Sequence, residues 1–162
     1  MSLEIRPARA SDHPAIARTI LPTIRAGETY ALDPGLSEAE AVAYWTGADR
    51  ETFVAEQDGV VLGTYYLRAN QAGGGAHVAN CGFMTGAAAA GRGIGRAMGE
   101  HALDRARERG FSAMQFNFVV STNQRAVKLW RSLGFAEVGR LPGAFRHPGL
   151  GVVDALVMFR TL

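Results

Sequence analysis

Cysteine is almost missing from this 162-residue chain; Cys81 is the only one. A lone thiol excludes an internal disulfide framework and fits a reducing compartment. Neither sign of charge predominates. Seventeen Lys and Arg face fifteen Asp and Glu, a formal net charge of +2. A dedicated nucleic-acid binder would show a dense basic stripe interleaved with aromatics, and none is present. No apolar run is long enough to span a membrane. The first residues, MSLEIRPARASD, are charged from Glu4 onward and contain no signal-peptide apolar region. The expected location is therefore cytoplasmic, with neither membrane nor nucleic acid as partner. No internal repeat or linker divides the chain, so residues 1–162 read as one domain. Hydrophobic residues make up 48% and charged residues 20%. That is enough apolar material for a core without staples and too much for disorder.

Periodicity and turn chemistry divide the chain into elements. Residues 3–7 read as a first strand. Ser11-Asp12-His13-Pro14 starts a helix with Ile16, Ile20 and Ile24 on one face, which Pro22 is expected to kink or break. Ser37 and Glu40 form the ends of a capping box that opens a second helix, reaching about Ala48. Strand-like runs at 52–56 and 60–68 flank Asp58-Gly59, a strong hairpin signal. Gly73-Gly74-Gly75 is a flexible break before a strand at 78–85. Helices at 94–109 and 123–133 are closed by Gly110 and Gly134 and separated by a strand at 113–120. Strands at 137–141 and 152–160 end the chain, joined by a Pro- and Gly-rich loop. The order β-α-α-β-β-β-α-β-α-β-β implies an α/β mixed sheet with helices on its faces. The helix at 94–109 would make a right-handed crossover between parallel strands.

The most informative segment is Ala90-Gly91-Arg92-Gly93-Ile94-Gly95-Arg96, which follows a strand and opens a helix. Glycines let a ligand approach the backbone, and the first amides of a helix lack internal partners. With the helix dipole they make an anion site that suits a pyrophosphate, to which Arg92 and Arg96 would add charge-assisted contacts. A P-loop would need a Gly-Lys-Ser/Thr ending, and a dinucleotide fingerprint would need an acid after the next strand. Neither is present.

Together with Asn123-x-x-Ala126-x-x-Leu129-Trp130-x-x-Leu133-Gly134-Phe135, this glycine loop resembles the GNAT superfamily of N-acetyltransferases over nearly the whole chain. The resemblance implies a GNAT-like fold with two splayed central strands and acetyl-CoA as cosubstrate, without a metal. It places the coenzyme pyrophosphate on Gly91, Arg92, Gly93, Ile94, Gly95 and Arg96. It places the pantetheine arm along the backbone of Phe83, Met84 and Thr85, with Asn123 beside it. Two positions depart from the family pattern: Ala90 stands where the family has Arg or Gln, and Trp130 where it often has a tyrosine that protonates the leaving thiolate. Indole is not a useful acid. A narrower resemblance, carried by Asn80-Cys81-Gly82-Phe83, Gln115-Phe116-Asn117-Phe118-Val119 and Arg140-Leu141-Pro142-Gly143-Ala144, points to fungal acetyltransferases of proline analogues such as azetidine-2-carboxylate. It implies that Asn80 and Asn117 sit at the reacting centre. The segment from Ile24 to Tyr30 is similar to the substrate-side loop of small-amine acetyltransferases of the phosphinothricin type.

An amine must lose a proton to attack a thioester, and the oxygen that gains charge needs donors. Holding the two reactants together supplies much of the rate, so direct attack in a ternary complex suffices. Asparagine is not a base, so Asn80 and Asn117 are expected to orient the substrate while water carries the proton. Glu28, on the overhanging loop, is a candidate base, and Tyr30 a wall of the substrate pocket. Alternation sets Asn117 on the sheet face opposite Phe116 and Phe118. His13 and His147 read as loop or cap residues, His77 as a strand-end surface residue or a proton relay, and His101, on the arginine-rich helix, carries no motif; Cys81 reads as an inert buried thiol, and Asp154 as a loop brace. The expected substrate is a small-molecule amine: an amino acid, an imino acid or a toxic analogue. The alternatives are a protein acetyltransferase acting on an N-terminus or lysine, which an acidic groove would mark, and a non-enzymatic acetyl-CoA sensor. Sheet edges and Gly-rich loops leave room for a homodimer.

Overall fold

A computed structural model describes residues 2–162. The elements run β1 (Glu4–Pro7), α1 (His13–Ala26), α2 (Glu38–Trp45), β2 (Glu51–Gln57), β3 (Val60–Ala69), β4 (Val78–Thr85), α3 (Ile94–Glu108), β5 (Ala113–Val120), α4 (Gln124–Ser132), β6 (Ala136–His147) and β7 (Gly151–Thr161). The strands form one sheet ordered β1-β2-β3-β4-β5-β7-β6, antiparallel throughout except for the β4–β5 pair. This is the mixed α/β architecture expected from the order of patterns.

Alternating strand residues feed two cores, one on each face of the sheet. Phe53, Tyr65, Leu67 and Cys81 pack against Ile94, Met98 and Ala102 of α3, Trp130 of α4 and Leu133 just after it. On the other face Val54, Tyr66 and Met84 pack against Ile16, Ile20 and Ile24 of α1 and Trp45 of α2. Glu51 of β2 pins α3 from outside the core, accepting from Arg105 at 2.7 Å and Arg109 at 2.8 Å. Asp58 and Gly59 both take positive φ, 54° and 77°, as a two-residue hairpin turn between β2 and β3 demands.

The described helix boundaries and strand lengths correct three expectations. α1 runs unbroken through Pro22 and stops only at Gly27. The proline removes one helical bond, but Ile20 and Ile24 on either side of it are fully buried and hold the segment in place. The stretch Gly73–Gly75 is a single 3-10 turn. The segment from Pro142 to His147 is not a loop: β6 continues to His147 across a bulge between Leu141 and Phe145. A bulge tolerates proline because its residue owes no ladder hydrogen bond. Asp154 braces it, accepting from Gly143 N–H at 2.9 Å and from Arg140 at 2.9 Å.

Candidate active site

The site begins where the sheet fails to close. β4 and β5 pair only at Val78↔Ala113 and Ala79↔Met114, then part. Asn80 and Gln115 are the next residues on each strand, and the Asn80 side-chain amide donates to the Gln115 carbonyl at 3.0 Å, bridging the vertex of the fork. Beyond that vertex neither strand pairs with the other across the gap. The two strands therefore splay.

On the α3 side of the fork lies a cleft of about 360 Å³. Its floor is Phe83, Met84 and Thr85, and its far wall is Gly91, Gly93, Ile94, Gly95 and Arg96. Gly93 caps α3 in a left-handed conformation, and a Cβ at Gly91 or Gly93 would meet nothing within 4 Å. The glycines thus serve φ values of 77° and 76° and an open approach, not tight packing. α3 has no side-chain cap, so its first amides face this space. Arg92 departs from expectation. Its side chain donates to Gln57 at 2.5 Å and does not line the cleft. Arg96 lines it while bonded to Ser132 and Glu100. A further cation, Arg125 in the first turn of α4, lines it too. The sequence signal for Arg125 was a basic residue two positions after Asn123, which only the fold aims at the cleft.

On the α1–α2 side lies a second cavity of about 220 Å³, reached by Asn80, Asn117, Tyr66, Arg68 and Cys81. The two cavities share Thr29, Tyr30, Phe83, Asn123, Ala126 and Trp130. These six residues form the boundary where the two cavities abut. The Tyr30 hydroxyl donates to the Phe83 carbonyl at 2.9 Å and accepts from the Phe83 amide at 2.8 Å. Burial pushes this phenol's pKa up and keeps it protonated. Trp130 packs against Phe83 and Phe116 with ring centroids 4.8 and 4.7 Å away.

Asn80 is buried and Asn117 exposed. Asn117 accepts from the Gln115 amide at 2.9 Å and donates to Asn70 at 2.6 Å. The alternation expected around it does not hold. A one-residue irregularity between Phe116 and Val119 puts Phe116 with α4 and sends Phe118 against Phe145 of β6. Asn123 caps α4, accepting from Ala126 N–H at 3.4 Å. Glu28 is exposed and lines neither cavity, while its neighbours Thr29 and Tyr30 line both. Cys81 is buried, with its thiol pKa raised by desolvation. His101 meets the Tyr65 hydroxyl at 2.6 Å on the far side of β3, and His147 caps a turn through Gly149 and Leu150. Among the described residues no cluster of three or more His, Cys, Asp or Glu is placed to hold a metal ion, and no helix is long and apolar enough to cross a membrane.

Comparison with known proteins agrees with this geometry. The Acetyltransferase (GNAT) family model matches residues 21–135. The chain is similar to the N-acetyltransferase aca1 of Schizosaccharomyces pombe, at 28% identity over 151 residues, 83% of this chain and 72% of the relative. It is similar to a GCN5-related N-acetyltransferase from Kribbella flavida at 48% identity and a TM-score of 0.94, over 99% of this chain and 98% of that one. It shares its fold with a phosphinothricin acetyltransferase from Sinorhizobium meliloti solved with acetyl-CoA, at 24% identity and a TM-score of 0.88, over 100% and 89% of the two chains.

Proposed function

The chain belongs to the acetyltransferase (GNAT) family, and from that premise we propose that it moves the acetyl group of acetyl-CoA onto the amine of a small molecule: an amino acid, an imino acid or a toxic analogue of one. The enzyme class is an acetyl-CoA-dependent N-acetyltransferase. The observation that carries the choice of acceptor is the abutment of two unlike cavities at a shared boundary that includes Phe83 and Trp130. One is a long cleft against bare helix amides. The other is a smaller cavity of about 220 Å³ whose lining includes Arg68, Asn80 and Asn117, a size suited to a small metabolite.

The residues on the cleft side fit the coenzyme. The α3 amides and Gly91 to Gly95 suit a diphosphate, with Arg96 and Arg125 supplying positive charge where Ala90 supplies none. The β4 edge at Phe83, Met84 and Thr85, which has no partner strand on the β5 side, suits an amide-bearing arm. Acetyl-CoA supplies the activated acyl group. The chain's own contribution is to hold the amine in the smaller cavity, aim it at the boundary with the cleft and keep bulk water out. Phe83 N–H is the donor best placed for an oxygen gaining negative charge, once the Tyr30 hydroxyl yields it. Asn80 and Asn117 orient the amine by hydrogen bonds, and water takes its proton. Glu28 is left out of this assignment because it reaches neither cavity. The exposed apolar side chains Val138, Leu150 and Val152 of the β6–β7 hairpin support a homodimer.

A panel of amines that includes azetidine-2-carboxylate, phosphinothricin, methionine sulfoximine and lysine-bearing peptides, assayed with acetyl-CoA by thiol release, tests the reading. Turnover of small acceptors over peptides is expected. Peptide acetylation alone would replace it with the protein-modifying reading, and no turnover of anything would leave an acetyl-CoA binder.

A further inference from the structure

One cation looks into the acceptor chamber. Among the described residues lining it, Arg68 is the single charged side chain. Arg68 lies on β3 directly opposite Asn80 on β4, so the register sets it beside the vertex of the fork. Its Nε donates to Asn80 Oδ1 at a long 3.4 Å, and this bond starts a chain of polar contacts along one wall: Asn80 to the Gln115 carbonyl, Gln115 to Asn117, Asn117 to Asn70.

The charge of Arg68 is poorly met inside the protein. Its nearest carboxylate is Asp49, at 3.8 Å from Nη1, well beyond the 2.7–2.9 Å of a charge-assisted hydrogen bond. Asp49 is already occupied, with Arg50 donating to both of its oxygens at 2.8 and 3.3 Å. It is also 62% exposed, which weakens any pairing through solvent screening. Arg50 adds to the imbalance. Its side chain is only 7% exposed, lies 4.6 Å from the Tyr66 ring centre, and has a buried Nη1 with no hydrogen-bond partner. Two guanidinium groups thus stand behind this wall against one solvated carboxylate. The Nη edge of Arg68 is a planar two-pronged donor, the geometry that matches a carboxylate.

We propose that Arg68 binds a carboxylate on the acceptor, so that the substrate is an amine carrying a free carboxyl group and not a simple amine, a polyamine or a lysine side chain. Resting on the acetyltransferase reading above, this assigns the specificity within it. The carboxylate docks at the Arg68 and Asn80 end. The amine then points away from that anchor, toward the boundary with the cleft at Phe83. A cationic wall disfavours acceptors whose only charge is the ammonium, because like charges sharing one cavity repel. The same anchor explains why a chamber that handles an ammonium has no carboxylate in its lining: the acceptor brings its own.

Matched acceptors test this: azetidine-2-carboxylate against azetidine, and proline against pyrrolidine, each with acetyl-CoA, in wild type and in Arg68→Met and Arg68→Lys. In wild type the carboxylated member of each pair is expected to have the higher kcat/KM. In Arg68→Met that preference falls about 10- to 100-fold, through the KM of the carboxylated member, with the KM for acetyl-CoA unchanged. Arg68→Lys keeps the charge without the fork and loses less; it also serves if the methionine variant does not fold. Equal wild-type rates within each pair, or a preference that survives both substitutions, overturn the assignment of Arg68 while leaving the acetyltransferase reading intact. Absence of thiol release with every acceptor in wild type overturns that reading, and the Arg68 assignment with it.

Discussion

The Tyr30 hydroxyl holds both backbone polar groups of Phe83 at once, donating to its carbonyl at 2.9 Å and accepting from its amide at 2.8 Å. These groups lie on the β4 edge that β5 abandons at the fork. A phenol from the α1–α2 connection thus satisfies buried backbone that a missing strand would otherwise pair. The same groups are wanted by a ligand lying along β4. Tyr30→Phe removes the hydroxyl and keeps the ring, which packs 6.0 Å from Trp45. The ligand-free variant is expected to lose about 1–3 kcal/mol, the cost of an unsatisfied buried polar group. The coenzyme-bound variant loses less, because the ligand then supplies partners. Thermal melting with and without coenzyme A checks this: the ligand-induced rise in Tm is larger in Tyr30→Phe than in wild type, and an equal or smaller rise counts against displacement of the phenol.

Asn80 and Asn117 sit on one polar chain but in different surroundings, and their alanine variants should separate. Asn80 is buried, and its removal leaves the Gln115 carbonyl at the fork vertex without its donor. Asn80→Ala is expected to lower stability by about 1–3 kcal/mol as well as activity. Asn117 is exposed, bonded only to other side-chain amides. Asn117→Ala should melt like wild type yet lose up to about 100-fold in turnover through misplacement of the amine. Unchanged kinetics in Asn117→Ala would remove it from the site.

Patterns with a fixed period were readable in the sequence, and patterns broken by a local insertion were not. β4 and β5 were legible to the residue because apolar runs and flanking turns bound them. Asp58-Gly59 was legible because only such a pair tolerates two positive φ values in sequence. Phe118 was misplaced because one bulge residue reverses every later side chain on a strand, and nothing in Phe116-Asn117-Phe118 announces a bulge. The extension of β6 through Pro142 was hidden for the same reason. At the candidate site the backbone features were accessible and the long side chains were not. Gly91 and Gly93 mark the cleft from sequence alone, whereas Arg92 turns to Gln57, 35 positions away in the chain. Arg68 carried no motif at all; only the register that sets it against Asn80 brings it to the chamber.

Arg6 and Asp12 fasten β1 to the start of α1 through two hydrogen bonds, at 2.8 and 2.9 Å, and Arg9 N–H adds a third to Asp12 at 2.7 Å. The Arg6 hydrogen bonds are the main cause that lowers the Asp12 pKa to about 2. A depressed folded-state pKa contributes stability that is fully present above the unfolded value near 4 and is lost as pH falls through the folded value near 2. Asp12→Asn should therefore be less stable than wild type at neutral pH. Its deficit should shrink as the pH is lowered from 4 to 2, where wild type gives up the same interaction. Urea unfolding at several pH values checks the convergence, and a deficit that stays constant to pH 2 would assign the loss to packing.

Gly93 and Gly110 share a backbone state and differ in place. Both take positive φ, 76° and 84°, and a Cβ at either would meet no atom within 4 Å. Valine at each position therefore carries a similar conformational cost, since a β-branched residue is poorly tolerated at positive φ. Gly93 caps the N-terminus of α3 on the wall of the cleft, whereas Gly110 follows its C-terminus, away from both cavities. Gly93→Val places its side chain in the open space where a diphosphate would meet the amides. Both variants are expected to melt at lower temperature by comparable amounts, but only Gly93→Val should lose coenzyme A binding by calorimetry. The pair cancels strain against strain and leaves ligand approach as the difference. Coenzyme affinity retained in Gly93→Val, or lost equally in Gly110→Val, would move the diphosphate away from this loop.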